Sequence, residues 1–167
     1  MSHSQTVETP TYAGSGDFAF QTGNWRVRHR KLRTRLKGAT VWSEFDGTCE
    51  AWELMAGDAN AEDNVLDDPA GPYRAAALRR FDATTGLWSI WWWDGRFPGQ
   101  SAEPPMQGRF EAGVGTFYCD DELDGRPIRV RFIWTLQGPD ACHWQQAFSA
   151  DAGATWETNW TMQFTRA

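Results

Sequence analysis

Hydrophobic and polar residues alternate along most of this chain with a period of two, which is the period of a half-buried β-strand. Every second residue between 128 and 136 is apolar, namely Ile128, Val130, Phe132, Trp134 and Leu136. The same alternation runs through residues 142–148 and 156–164. No segment has the 3.6-residue period of an amphipathic helix, so the pattern predicts an all-β protein.

Short sequences rich in glycine, proline and aspartate separate the alternating segments, as expected of turns between antiparallel strands. They lie at residues 82–86, 113–115, 124–125, 138–140 and 151–153. The segments between them predict eight clear strands, and up to ten when weaker segments are counted. Residues 56–72 are acidic and irregular, with one candidate strand at 64–66, and Asp46-Gly47 predicts a bulge or bend inside the second strand.

Consecutive antiparallel strands on short loops form a meander, and closing a long meander into a barrel leaves no unpaired edge. We therefore expect residues 17–167 to form a single antiparallel up-and-down β-barrel of about 8–10 strands. Residues 1–16 are polar and small, and they predict a flexible tail. A β-sandwich is the alternative, and it would tolerate fewer polar residues on its buried faces.

The composition narrows the class of protein and of partner. The 167 residues carry a net charge of −6, which argues against a general nucleic-acid-binding protein. No apolar run approaches the roughly 18 residues of a membrane span. The start of the chain has no signal pattern, so a cytoplasmic protein is expected. Cys49, Cys119 and Cys142 form no Cys-x-x-Cys pair and the three histidines are scattered, so neither a metal site nor a cofactor is predicted.

Gly23, Asn24 and Trp25 open the first predicted strand, and Arg166 lies near the end of the last one. This arrangement resembles the calycin superfamily, whose lipocalin-like barrels begin with a Gly-x-Trp motif. The resemblance implies that Trp25 packs under Arg166 and plugs one end of the barrel, which is a structural role. A guanidinium over an indole contributes about 0.5–2 kcal/mol. The alternative is a core tryptophan with an unrelated surface arginine.

The body of the chain, from residue 17 to residue 166, also resembles the DUF1579-type family of uncharacterised bacterial calycin-like proteins. Six short segments carry this resemblance: residues 23–27, 47–50, 71–74, 88–92, 113–118 and 146–149. The resemblance implies a lipocalin-like barrel and supplies no reaction.

Two further motifs have both a structural and a functional interpretation. Residues 149–156 fit the Asp-box pattern Ser-x-Asp-x-Gly-x-x-Trp, and a single copy favours a hairpin turn over a propeller. Residues 26–37 hold seven basic side chains, and the alternation of Arg26, Arg28 and Arg30 favours a solvated outer strand face. Attraction of an anionic ligand to one rim of the barrel is the alternative.

Several polar residues share predicted interior faces with tryptophan and phenylalanine, a mixed lining that suits an orienting pocket. The leading hypothesis is therefore a binding protein for a small hydrophobic or aromatic molecule. Its predicted ligand-binding residues are His29, Trp42, Glu44, Trp134, Trp144, Gln146 and Trp160. The predicted bend at residues 46–47 leaves open which way Trp42 and Glu44 point.

An enzyme is the second hypothesis. An isomerase, cyclase or lyase acting on a hydrophobic metabolite would use His29 as base, with Glu44 or Tyr118 as acid or polarising group. Haem ligation is a less favoured interpretation of His29, and the late His143 is expected to point outward.

A non-catalytic interaction module is the third hypothesis, and it includes a homodimer. Residues 88–93 hold tryptophans on both faces of one strand, so one pair is expected outside the barrel. An exposed apolar patch around Trp88 and Trp92 would support this function.

Overall fold

Ten antiparallel strands form a closed barrel in the computed structural model, which describes residues 14–167. The strands are β1 (Gly23–Leu32), β2 (Trp42–Leu54), β3 (Ala59–Leu66), β4 (Tyr73–Asp82), β5 (Leu87–Asp94), β6 (Met106–Glu111), β7 (Val114–Leu123), β8 (Arg126–Leu136), β9 (Ala141–Ser149) and β10 (Glu157–Arg166). The helical segments in this part of the chain are two single 3-10 turns, Ala19–Gln21 and Met55–Gly57. None of the helices of residues 14–167 has the length and apolar character to cross a membrane.

Each strand pairs with its neighbours in sequence, and β1 pairs with β10 to complete the ring. The closing register runs from Trp25 opposite Arg166 to Lys31 opposite Trp160. Closure pairs the backbone N–H and C=O groups that an open sheet would leave at its edges. The predicted up-and-down barrel is confirmed, and the sandwich is excluded.

Strand β3 covers residues that the sequence predicts to be irregular, apart from 64–66. Its interior positions are Asn60, Glu62, Asn64 and Leu66, and three of these four buried side chains are polar. The hydrophobic alternation that marks a half-buried strand is therefore absent from its sequence. The prediction is wrong here because these side chains are buried through hydrogen bonds to one another and to Arg79.

Gly47 lies in β2, between the neighbouring strands β1 and β3. The bulge predicted at residues 46–47 is absent, because the register between β1 and β2 runs without a break along the whole of β1. A Cβ atom at Gly47 would lie 2.5 Å from the carbonyl oxygen of Val65 and 2.8 Å from Nε2 of His29. Close packing against these two neighbours therefore requires glycine.

The barrel is closed at the end where β1 begins and β10 ends. The guanidinium of Arg166 lies 3.8 Å from the centre of the Trp25 ring, which is the contact expected of the Gly-x-Trp motif. Arg166 also donates hydrogen bonds to the backbone carbonyls of Phe20 and Thr22, and the Trp25 indole donates to that of Gln21 at 2.8 Å. These bonds hold the segment before β1 across the end of the barrel.

The predicted tail of residues 1–16 lies mostly outside the described residues, and its last part belongs to the barrel. The carbonyl of Gly14 accepts a hydrogen bond from the Trp88 indole at 3.0 Å. The backbone N–H of Gly16 donates to the carbonyl of Gly57 at 3.1 Å. Residues 14–16 of the predicted tail therefore contact the barrel, through Trp88 and the turn at Gly57.

The opposite end of the barrel is open and carries the longer loops, of which residues 95–105 between β5 and β6 are the longest in the described part. Only Trp88, Ser89 and Ile90 of β5 pair with β6. The second half of β5 therefore has backbone partners in β4 alone. The barrel wall is interrupted beside this loop.

The tryptophans of β5 are divided between the two faces of the strand. Trp88 and Trp92 lie on the interior face, because the β4–β5 register places Trp92 opposite the buried Ala77. Trp91 and Trp93 lie on the opposite face, and Trp93 is 44% exposed. The pair on the outer face is therefore Trp91 and Trp93, and the exposed patch around Trp88 and Trp92 that would have supported an interaction module is not formed.

Residues 149–156 form the turn between β9 and β10. The Ser149 hydroxyl accepts a hydrogen bond from the N–H of Gly153 at 2.8 Å, and the Asp151 carboxylate accepts one from the N–H of Thr155 at 2.8 Å. Hydrogen bonds from the Thr155 hydroxyl and backbone lower the pKa of Asp151 to about 2. The Trp156 indole closes the turn on the carbonyl of Gly153 at 3.0 Å. This single Asp box is a hairpin turn, as predicted.

Candidate functional site

A cavity of about 370 Å³ lies inside the barrel and extends to its open end. Its wall is aromatic, with Trp92, Phe132, Trp144, Phe148 and Trp160 as the main side chains. Cavities that bind small molecules usually measure roughly 300–1,000 Å³ and are lined mainly by apolar and aromatic groups. The cavity therefore has the size and lining of a small-molecule site.

Edge-to-face contacts fix the orientation of the aromatic wall. The Trp160 ring meets Trp144 at a centroid distance of 5.3 Å and Trp92 at 5.9 Å, with interplanar angles of 88° and 85°. Phe132 contacts Trp144 at 4.8 Å and 69°. Such geometry is favoured by the ring quadrupoles. The wall is therefore preformed, and a planar guest would meet rings that are already positioned.

The floor of the cavity holds a buried ion pair. Nη2 of Arg79 lies 2.6 Å from Oε2 of Glu62, and the two side chains are 2% and 4% exposed. Nη1 of Arg79 donates to Oδ1 of Asn60 at 3.1 Å, and the guanidinium lies 4.8 Å from the centre of the Phe18 ring. The pair is balanced in charge and surrounded by aromatic carbon, so it closes the cavity without adding net charge.

The Glu62 carboxylate also accepts hydrogen bonds from other buried polar groups. Glu62 accepts hydrogen bonds from the side-chain amides of Gln21 at 3.4 Å and Asn64 at 3.2 Å, and a weaker one from the thiol of Cys49 at 3.8 Å. Burial, and next the negative charge of Glu62, raise the pKa of Cys49 far above its usual range. Cys49 is therefore an unreactive buried thiol, and the cluster is part of the core.

One amide stands in the aromatic wall. Gln146 lies in β9 and donates through Nε2 to Oδ1 of Asn159 at 2.8 Å. The β9–β10 register shifts between Thr158 and Trp160, and this bulge accompanies the full burial of Asn159. The wall thus combines rings with one oriented polar side chain, the mixture that gives a pocket selectivity.

Two cationic side chains lie at the mouth of the cavity. Nζ of Lys31 is 4.3 Å from the centre of the Trp160 ring and donates a hydrogen bond to the Tyr73 hydroxyl at 3.1 Å. The guanidinium of Arg35 lies 5.3 Å from the centre of the Phe148 ring. Both side chains are half-buried and line the cavity.

Burial and mutual repulsion affect the protonation of this cationic pair. Burial, followed by the positive charges of Arg35 and Arg96, lowers the pKa of Lys31 to about 8. Burial also lowers the pKa of Arg35, which nevertheless keeps its charge because an arginine titrates so far above neutral pH. Arg96 itself is bound by Asp94, with hydrogen bonds of 2.7 and 3.0 Å to its two carboxylate oxygens.

The loop of residues 95–105 forms the side of the mouth. Gln100, Ser101, Ala102, Glu103 and Pro104 all line the cavity. The Trp91 indole donates to the Glu103 carboxylate at 2.8 Å and holds the loop beside β5. The loop covers the part of the wall where β5 and β6 are not paired.

Four of the predicted ligand-binding residues line the cavity: Trp134, Trp144, Gln146 and Trp160. Trp42 and Glu44, whose direction the sequence left open, lie on the outer surface, so their assignment to the ligand-binding residues is wrong. The unbroken register of β2 places both on the face opposite Phe45. There Glu44 forms ion pairs with Arg28 at 3.3 Å and with Arg30 at 3.0 Å.

The three candidate catalytic residues are not brought together. His29 is buried and absent from the cavity lining of the described chain; its Nδ1 accepts a hydrogen bond from the Trp160 indole at 3.3 Å. Burial, and next the positive charge of Lys31, lower the pKa of His29 to about 4. Tyr118 lies on the exterior against Trp156, and Glu44 is also outside. The predicted acid–base site therefore has no shared cavity.

Sequence reasoning missed the charged residues of the cavity. Lys31 shares its strand face with Trp25, Val27 and His29, and the alternation alone could have placed it inside. Arg79 has the same relation to Ala75, Ala77 and Phe81 in β4. Arg35 lies in a loop, where no periodic pattern indicates a direction.

Comparison with known proteins supports the fold. No family model matches the chain, and no curated protein matches its sequence. The crystal structure of Rv2717c from M. tuberculosis is similar, with 10% identity and a TM-score of 0.61 over 94% of this chain and 99% of that one. The structure of EF1p2_mFAP2b bound to DFHBI has 10% identity and a TM-score of 0.46 over 93% of this chain and all of the other. The resemblance to the DUF1579-type family stays a prediction, whereas the similarity to Rv2717c shows a shared barrel fold.

Proposed function

We propose that this protein binds a small molecule with an aromatic or largely apolar body inside the barrel. The observation that carries the proposal is the preformed aromatic cavity of about 370 Å³, which reaches the open end of the barrel. The closed end is sealed by the Trp25–Arg166 contact and by the buried Glu62–Arg79 pair. A guest would therefore enter and leave by one route.

Apolar contact supplies part of the binding energy. An aromatic ring system of about 200 Å² that leaves water contributes about 5 kcal/mol, at about 25 cal/mol per Å². A dissociation constant of about 1 μM corresponds to about 8 kcal/mol. The rings alone would thus give weak binding, and polar contacts at the wall or the mouth must raise the affinity.

Filling the cavity tests the proposal. The probe is N-phenylnaphthylamine (NPN), a neutral aromatic dye whose fluorescence rises in apolar surroundings. Ala77 is buried and lines the cavity, whereas Ala76 beside it is exposed on the outer face of β4. Ala77→Phe should weaken NPN binding at least 10-fold by occupying the cavity, and Ala76→Phe should leave binding unchanged.

Two results would contradict the proposal. One is the absence of saturable NPN fluorescence with the wild-type protein. The other is equal NPN affinity for the wild type and for an Ala77→Phe variant that circular dichroism shows to be folded. NPN would then be bound outside the cavity.

A further inference from the structure

At the mouth of the cavity one half-buried cation, Arg35, has no carboxylate in contact with it among residues 14–167, and this indicates the chemistry of the ligand. We infer that the ligand carries an anionic oxygen group, a carboxylate or sulfonate, which Arg35 and Lys31 bind at the mouth while its aromatic body occupies the barrel. The inference rests on the proposed function and specifies the class of molecule for the same site.

Arg35 is the central observation. Its guanidinium lies over the Phe148 ring at the cavity wall. No carboxylate among residues 14–167 lies within 4.0 Å of it, whereas Arg79 and Arg96, the other arginines of the cavity, each have a carboxylate partner. A half-buried guanidinium is partly removed from water, and its planar fork fits a carboxylate or sulfonate.

Lys31 adds a second donor on the same side of the mouth. Its ammonium makes one hydrogen bond, to the Tyr73 hydroxyl at 3.1 Å, and one long ion pair, to Asp68 at 3.7 Å. An ammonium group has three donors, so it can also bind a ligand oxygen. Burial, and next repulsion from Arg35 and Arg96, disfavours the charged form of Lys31, and an anion at the mouth would favour that form.

The acidic residues around the mouth are bound elsewhere or do not touch Arg35. Asp68 forms an ion pair with Lys31 at 3.7 Å. Glu157 accepts the backbone N–H of Leu36 at 2.7 Å; its charge favours the charged form of Arg35, but it lies beyond 4.0 Å from the guanidinium. Asp94 is bound to Arg96, Glu62 to Arg79, and Glu103 accepts the Trp91 indole N–H. Asp121 and Glu103 are exposed at the rim and therefore well solvated. Arg35 and Lys31 are thus two neighbouring cations in a chain whose net charge is −6.

The geometry indicates which part of the ligand lies at the floor of the cavity and which part lies at the mouth. At the floor, the charge of Arg79 is already paired with Glu62, so that carboxylate would repel an anion there, although Nε of Arg79 has no hydrogen-bond partner in the described residues. The rings of Trp92, Trp144 and Trp160 lie between floor and mouth and favour a planar aromatic body. An aromatic acid that enters body first satisfies both regions, whereas an aromatic cation would meet two positive charges at the mouth.

A pair of dyes separates charge from shape. Anilinonaphthalene sulfonate (ANS) has the aromatic body of NPN with an added sulfonate. Arg35→Met removes the cation and keeps an apolar stem over Phe148, and it should weaken ANS binding about 10-fold or more, as expected for a lost charge-assisted hydrogen bond. NPN affinity should change less than 2-fold.

Arg33→Met is the matched control. Arg33 lies two residues away in the same loop, is exposed and donates to Ser43 at 3.2 Å, so its loss changes the net charge equally without touching the cavity. It should leave ANS affinity within 2-fold of the wild type. Lys31→Met is a second variant in case Arg35→Met does not fold, and it should weaken ANS binding at least 3-fold with little effect on NPN.

The outcomes of the experiment are distinct. Saturable NPN binding with no ANS effect in Arg35→Met and Lys31→Met refutes the anionic ligand and leaves the proposed function standing. Equal losses of ANS affinity in Arg35→Met and Arg33→Met refute it as well, because general electrostatic attraction would then explain them. Failure of both dyes to bind the wild type refutes the proposed function itself.

Discussion

Removing the negative member of the buried ion pair should destabilise the barrel severely. Glu62→Gln keeps the size of the side chain and leaves the Arg79 guanidinium buried, at 2% exposure, without a countercharge. Breaking a buried pair in this way costs about 3–5 kcal/mol. With a urea dependence of about 2 kcal/mol per M, the unfolding midpoint should fall by about 2 M.

The same two strands provide an internal control. Asp63 and Arg74 form an ion pair across the outer face of β3 and β4, with side chains 41% and 66% exposed. Asp63→Asn should cost less than about 1 kcal/mol, because exposed pairs contribute little. Urea unfolding followed by tryptophan fluorescence measures both variants.

A double variant separates a buried charge from lost packing. Glu62→Leu with Arg79→Met removes both charges, and it should be more stable than Glu62→Gln, since apolar replacement of a buried pair is often neutral or stabilising. Equal losses in Glu62→Gln and Asp63→Asn would refute the reasoning. So would a double variant as unstable as the sum of its two single changes, because the charges would then not be coupled.

Two predictions concern pH. His29 has a pKa of about 4 in the folded protein and 6.5 in the unfolded chain, so the unfolded chain takes up the proton first as the pH falls. The free energy of unfolding should therefore decrease by about 3 kcal/mol between pH 6.5 and pH 4. Urea midpoints should depend less on pH in His29→Gln than in the wild type, and an equal dependence would contradict the assignment. Lys31 has a pKa of about 8, so ANS affinity should be highest below pH 8 and decline as the pH rises through it. Fluorescence titrations at pH 7 and 9 should show this decline in the wild type and a smaller one in Lys31→Met. A decline of the same size in both proteins would exclude Lys31 as its source. The charged or titratable groups that act on Lys31 are Arg35, Asp68, Tyr73, Asp94 and Arg96.

The sequence was most informative where one face of a strand is apolar. The alternations in β8 and β9 correctly place Trp134 and Trp144 on the interior face, because hydrophobic burial has the same period as the strand. The contact between Trp25 and Arg166 that closes the barrel could be anticipated from the resemblance of the Gly-x-Trp motif to the calycin pattern, which links the first strand to the last.

The sequence was least informative where burial depends on pairing between polar groups. Glu62 looks like a surface residue until Arg79 is known to lie diagonally across from it on β4, and that register is a property of the fold. The direction of Glu44 was left open for a related reason. Gly47 suggested a bend, but it serves a close approach to Val65 and His29, which lie on neighbouring strands.

Arg35 shows why the site itself could only be predicted in part. In sequence it is one of several basic residues with nothing to distinguish it from Arg33. In the structure Arg33 bonds Ser43 at the surface, while Arg35 turns over Phe148 at the cavity mouth without a carboxylate partner within 4.0 Å in residues 14–167. A half-buried cation without a carboxylate in contact is less favourable in the free protein than a paired one. An anionic ligand would recover this cost on binding, so the feature that weakens the empty barrel is the one that would give it selectivity.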